Sequence, residues 1–203
     1  MLIQERLFEL LRVCNCIAAR NLSLATTGNF SIRIDGQSMK ISSSGKDKSL
    51  LKDIDFVTCD LDGNLLSGHG KPSAEAPLHG MIYQLADQAN CVLHTHSVPL
   101  TVLSMLQDKA KSLSFTGYEM QKTIQGFVSH EEQLDLMIFN NDQDMHRLAS
   151  VVRNAWKETK QASGFIVRGH GLYCWGNQVA DAKRHMEGLE FLIECELQRR
   201  RFL

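Results

Sequence analysis

Apolar side chains recur through residues 2–20 at Ile3, Leu7, Leu10, Leu11, Cys14, Ile17 and Ala18. Spacings of three and four gather them into one stripe on a helix, so the chain opens on an amphipathic helix. The pattern then shortens. Segments 30–34, 39–42 and 55–59 are rich in β-branched and apolar residues, with Asp35-Gly36 after the first and Asp62-Gly63 beyond the third. Such dipeptides accept the backbone angles of tight turns, so these segments are expected to pair as antiparallel hairpins. Ser73 is placed to cap a helix reaching about residue 88, with Pro77 near its first turn, where a missing N–H is tolerated. A strand follows over 91–96, a helix capped by Ser97 reaches Met105, and another strand covers 134–139. After the polar Asn140-Asn141 break a helix is expected over 142–160, then strands over 165–168 and 172–175 around a Gly-His-Gly turn, and a last helix from about 178 to 200. Hairpins interspersed with helices, without strict alternation, predict an α/β fold with a largely antiparallel central sheet flanked by helices, and argue against a Rossmann arrangement.

Composition narrows the class of protein. The 203 residues are 43% hydrophobic and 22% charged, ordinary for a globular chain, and roughly 70% of the unfolded surface can be buried at this length. With three prolines, no internal repeat and no linker-like segment, residues 1–203 are expected to form one domain. Lys and Arg total 22 against 23 Asp and Glu, a formal net charge of −1. That balance lacks the basic face that nucleic acids or membrane surfaces require, so neither is an expected partner and any anion site must be local. No apolar run approaches the roughly 18 residues of a membrane span, and charges interrupt the opening segment where a signal peptide is apolar. A cytoplasmic location is expected. Six cysteines without a C-x-x-C pair are expected to be free thiols. The basic ending Arg199-Arg200-Arg201 is accounted for by the helix dipole.

The strongest chemical signal is His94-Thr95-His96 at the end of a predicted strand. Residues two apart on a strand share a face, about 6.6 Å apart along the chain, so two imidazoles can converge on one ion. On a helix the same spacing would splay them. A catalytic zinc-type site takes three protein ligands and an open position, and His170 is the third candidate. It stands between Gly169 and Gly171, where backbone can approach an ion closely. His79 and His185 fall inside amphipathic helices, and His69, His130 and His146 in polar stretches. A second constellation pairs Thr26-Thr27-Gly28-Asn29 with Ser42-Ser43-Ser44-Gly45-Lys46, two hydroxyl-rich glycine turns that read either as surface turns or as a nest of N–H groups for an anion.

Thr27-Gly28-Asn29-Phe30-Ser31, Ser44-Gly45-Lys46, Lys71-Pro72-Ser73-Ala74-Glu75, His94-Thr95-His96-Ser97 and Gly169-His170-Gly171-Leu172, in this order and spacing, resemble the class II aldolase and adducin family over nearly the whole chain. Within it, the chain looks most like the sugar-phosphate dehydratases. The resemblance implies an antiparallel sheet flanked by helices, one zinc ion per subunit on His94, His96 and His170, and a homotetramer with active sites near subunit interfaces. It implies that Gly28, Asn29, Ser44, Gly45 and Ser73 hold a substrate phosphate with Lys46 beside them, Ala74 standing where related aldolases have a second serine. Two carboxylates compete for the acid/base role: Glu119 matches that of the dehydratases, and is favoured here, whereas Glu75 matches the glutamate beside the metal in the aldolases. The implied chemistry is dehydration of a small sugar phosphate through a metal-stabilised enediolate. The alternatives are a sugar-phosphate aldolase or epimerase, and a non-catalytic adducin-like scaffold.

Overall fold

The computed structural model describes residues 2–156 and 162–202. Its helices are α1 (Ile3–Ala19), α2 (Ala76–Leu85), α3 (Val98–Leu106), α4 (Met145–Ala155) and α5 (Val179–Arg200). Its strands are β1 (Asn29–Arg33), β2 (Ser38–Ser42), β3 (Phe56–Asp60), β4 (Leu65–Ser67), β5 (Cys91–Thr95), β6 (Ser112–Phe115), β7 (Leu134–Phe139), β8 (Gly164–Val167) and β9 (Gly171–Gly176). They form one sheet in the order β4-β3-β2-β1-β5-β9-β8-β7-β6. Every pairing is antiparallel except β7 with β8, which are joined through α4.

Strand alternation sorts the core onto two faces. Phe30 and Ile32 of β1, Cys91 and Leu93 of β5, and Leu172 and Cys174 of β9 pack on one side with α1, α3 and α5. Val92, Phe165, Tyr173 and Trp175 pack on the other with α2 and α4. The result is a helix–sheet–helix sandwich. By the same alternation Ser31 and His94 point toward α2. No helix among the described residues is long and apolar enough to cross a membrane, and the six cysteines are free.

The expected architecture is present, with differences at the margins. β4 and β6, both at sheet edges, were not expected; β4 is three exposed residues, too short to show a period. Helix α2 starts at Ala76, not Ser73, so that Pro77 falls in its first turn and Glu75 occupies the position before it. Ser73 Oγ instead accepts from the Glu75 backbone N–H at 3.3 Å. Helix α4 begins at Met145 because Asp144 caps it, accepting from the N–H groups of His146 and Arg147. Residues 157–160 of the expected helix lie outside the described residues.

Helix α2 lies close against the turn after β3 at Gly80, where an added Cβ would lie 1.8 Å from the Leu61 carbonyl oxygen. Alanine is the better helix former by about 1 kcal/mol, so propensity alone would make Gly80→Ala stabilising. The clash is with backbone and should win: a net loss of about 2 kcal/mol is expected, the overpacking range. Thermal unfolding should register it as a Tm roughly 4–8 °C lower; an unchanged or raised Tm would show that α2 can move away freely.

Candidate active site

Strand β5 sits between β1 and β9, with His94 opposite Asn29 on one side and Tyr173 on the other. The imidazole is fully buried and stacks on Tyr173, ring centroids 4.0 Å apart. Its Nδ1 lies 3.0 Å from the Leu172 carbonyl, so it donates there and leaves Nε2 as an acceptor. His96 lies one residue past the strand, held by its backbone N–H on the Leu22 carbonyl at 2.8 Å. His170 comes from the β8–β9 turn, with Nδ1 3.3 Å from Asn141 Oδ1. That turn lies close against β5 because residue 171 is glycine: a Cβ there would sit 2.2 Å from the Thr95 carbonyl and 2.7 Å from His94 Cε1. One ligand atom from each of His94, His96 and His170 lies within 4.8 Å of the others.

The donor set fits a metal ion. His94 Nε2 and His96 Nε2 are 2.9 Å apart. Burial pushes His94 down to about 3 and His96 to about 4, so both rings are neutral at pH 7. Two lone pairs that close repel unless a proton or a cation lies between them, and three convergent imidazoles are a usual set for a divalent ion such as zinc.

Glu75 completes this recess. Its Oε1 is 2.9 Å from His170 Nε2 and its Oε2 3.3 Å from His94 Nε2. Oε2 also accepts from the Asn29 amide nitrogen. Although burial opposes it, these polar neighbours hold the carboxyl well below the usual carboxylate range. Helix α2 positions this side chain, since Glu75 immediately precedes its first turn.

The same wall opens into a cavity of about 220 Å³ lined by Gly28, Asn29, Ser43, Ser44, Gly45, Lys48, Ser73, Glu75 and His96 among others. The two glycine turns and the Ser73 segment meet here because Ser43 bridges to Pro72 and the Ser44 N–H donates to the Lys71 carbonyl at 2.9 Å. Gly28 (φ +76°) is needed at the strand edge, where a Cβ would lie 2.8 Å from the His94 carbonyl. Among the described residues, the buried Ser43 hydroxyl has no hydrogen-bond partner.

Three expected site residues are placed differently. Lys46 is turned out of the cavity, its Nζ paired with Asp55 Oδ1 at 2.9 Å and nearly half exposed. The lysine lining the cavity is Lys48, which the sequence reading missed: it is 2% exposed, and its ammonium donates to the carbonyls of Thr26 and Lys46 at 3.0 and 2.8 Å. Burial lowers its pKa. Asn29 lines the cavity, but both ends of its amide are engaged, the nitrogen by Glu75 and the oxygen by His79. Glu119 lies on a 3-10 turn over Glu119–Thr123, its carboxylate 72% exposed. There it accepts from Lys122 at 2.6 Å and sits 3.8 Å from His130. Among the described residues of this chain, no hydrogen bond or ion pair links it to His94, His96 or His170.

Residues 8–197 match the family described as Class II Aldolase and Adducin N-terminal domain, and the chain belongs to that family. Within it, the chain is 46% identical over 197 residues to a methylthioribulose-1-phosphate dehydratase of Cronobacter sakazakii, covering 97% of this chain and 96% of the relative. It is 47% identical over 196 residues to the protein of the same name in Serratia proteamaculans, covering 97% and 96%. Among solved structures, an L-fuculose 1-phosphate aldolase aligns with a TM-score of 0.80 at 22% identity, covering 100% of this chain and 89% of that one. YgbL of Klebsiella pneumoniae also gives 0.80, at 21% identity, covering 96% and 89%. These structures share the fold.

Two outcomes follow from this geometry. His96→Ala should lose bound metal on elemental analysis and turnover together while circular dichroism stays native, because two remaining imidazoles hold an ion weakly; full metal occupancy would remove His96 from the ligand set. Lys48→Met should raise KM for a phosphorylated substrate roughly 10- to 100-fold, the worth of a charge-assisted hydrogen bond. Lys46→Met should change KM by less than about twofold, as for a solvent-screened charge. The reverse ranking would return the anion-binding role to Lys46.

Proposed function

We propose that this chain is a hydro-lyase that removes water from 5-methylthioribulose 1-phosphate to give 2,3-diketo-5-methylthiopentyl 1-phosphate, a step of methionine salvage. The observation that carries the reading is the shared wall: Glu75 and His96 border both the three-histidine recess and the cavity containing Lys48 and the serine hydroxyls. A phosphate anchored at one end of a short ketose therefore brings its next carbons to the histidines. The identity of 46–47% to relatives named methylthioribulose-1-phosphate dehydratase supports this substrate over other sugar phosphates.

His94, His96 and His170 hold zinc in this reading. When bound, it supplies Lewis-acid polarisation of the C2 carbonyl and C3 hydroxyl, which makes the C3 hydrogen acidic. Lys48, with the Ser43, Ser44 and Ser73 hydroxyls, binds the phosphate and fixes C1. A carboxylate removes the C3 proton, the C4 hydroxyl leaves as water on receiving a proton, and the C3–C4 enol tautomerises to the ketone.

Glu119 is the proposed acid/base and Glu75 its support beside the histidines. Because Glu119 is exposed in its own chain, the reading places it at a neighbouring subunit's histidines in a homotetramer with active sites near the interfaces. The position of Glu75 favours one second reading, an aldolase-like site in which Glu75 moves the proton and the C3–C4 bond breaks.

Incubation of the zinc-loaded protein with 5-methylthioribulose 1-phosphate should yield the diketone, and a chelator should stop it; a released aldehyde instead would support the aldolase reading. Glu119→Gln should keep metal and KM while lowering kcat roughly 10²- to 10⁴-fold, the range of a positioned acid/base. Glu75→Gln should be milder. Mixing dissociated Glu119→Gln and His96→Ala subunits should recover activity, since a site that takes its histidines from the Glu119→Gln subunit and its glutamate from the His96→Ala subunit is intact. Loss of turnover in Glu75→Gln alone, or hybrid assemblies that stay inactive, would assign the proton transfer to Glu75 within one chain.

A further inference from the structure

A file of buried polar groups runs from the α2 layer to the Glu75 carboxylate. Tyr83 Oη lies 2.7 Å from Ser31 Oγ, Ser31 Oγ 2.7 Å from His79 Nδ1, and His79 Nε2 2.5 Å from Asn29 Oδ1. The other end of that amide donates to Glu75 Oε2. Tyr83, Ser31 and His79 are at most 1% exposed and Asn29 is 5% exposed.

Chemistry orders the donors along this file. An ionised carboxylate only accepts, so Asn29 turns its NH2 group to Glu75 and its oxygen to His79. That oxygen also only accepts, so His79 carries its ring proton on Nε2. Burial keeps the ring neutral, its pKa pushed down to about 3, so Nδ1 accepts from the Ser31 hydroxyl. Ser31 in turn accepts from Tyr83. Every donor points toward Glu75, and aligned bonds in a dry interior polarise one another.

The file is not a proton path to solvent. Its far end is closed by buried Tyr83, with the Arg33 guanidinium 5.1 Å from the ring centroid, and a carboxamide stands in the middle of it. Orientation is what such a file can supply. A histidine buried only to fill the core needs partners, but its partners need not end on the site's carboxylate.

We propose that His79 is a positioning residue: through the Asn29 amide it fixes how Glu75 is held beside His94, His96 and His170. The proposal rests on reading Glu75 as part of a working active site. It predicts that the orientation of one carboxylate depends on a ring that touches neither substrate nor metal.

His79→Gln puts an amide N–H near the place of Nε2–H, whereas His79→Leu removes the donor. His79→Leu should lower kcat about 10- to 100-fold, the usual effect of losing a group that orients a site residue, with KM within about twofold. His79→Gln should return to within about threefold of wild type. In an Asn29→Ala background, where the route is already cut, His79→Leu should add less than about twofold, since only coupled residues depart from additivity. Equal loss in the Leu and Gln variants, or effects that multiply in the double variant, would overturn the proposal.

A measurement without turnover decides the matter independently. Nitrogen-15 NMR of the metal-free wild-type protein at pH 7 should find the His79 ring neutral and protonated on Nε2. An Nδ1–H tautomer or an imidazolium would refute the proposal, and this readout stands even where His79→Leu does not fold. The expected tautomer in a protein that leaves 5-methylthioribulose 1-phosphate untouched would count against the assigned reaction and not against His79.

Discussion

Three imidazoles do not converge in one recess of their own accord, because inward-facing lone pairs repel, and at His94 and His96 burial penalises the protons that would relieve the repulsion. What forces them together here is backbone. His94 belongs to the central strand β5, His96 is held by the Leu22 carbonyl, and the turn carrying His170 is pressed onto Thr95 where only glycine leaves room. The sheet thus holds the ligand atoms in place before any ion arrives, and nearby groups set which ring nitrogen faces inward: Leu172 for His94 and Asn141 for His170. Arg168, just before that turn, ties it to the rest of the fold through the carbonyls of Ser104 and Ala110 at 2.7 and 2.8 Å.

The parts of this design that obey a period were legible in the sequence. The two-residue spacing of His94 and His96 has one meaning on a strand, and glycines on both sides of His170 marked a turn able to come close. The sandwich itself followed from hairpins broken by amphipathic helices. What failed to show was whatever depends on side-chain direction inside an irregular loop. In 44–48 two lysines stand two apart, and no pattern says which enters the fold; Asp55 draws Lys46 outward while the Thr26 carbonyl receives Lys48. His79 looked like an ordinary helix histidine because its partners, Ser31 and Asn29, lie some fifty positions away in sequence. Glu119 lies on a short turn whose side chains have no repeat, and its exposure is a fact of tertiary structure.

Glu75 and Glu119 illustrate how one fold can separate two carboxylates by environment. Glu75 precedes α2, accepts from the Asn29 amide beside the three histidines, and stays ionised despite burial. Glu119 is solvated and paired with Lys122, so its charge costs little where it is. A buried anion whose partners are fixed serves well as a static part of a site, whereas an exposed one on a surface turn can serve a second surface. The division between a fixed carboxylate and a presented one follows from these surroundings.

The ammonium of Lys48 is enclosed by the folded chain and, among the described residues, donates to two backbone carbonyls and to no carboxylate. Such a group is an unfinished interaction. An anion in the cavity would complete it, while a neutral group of the same size would fill the space and leave the charge unanswered. A cavity of this kind discriminates by penalty as much as by attraction, turning away uncharged occupants through the protein's own buried charge.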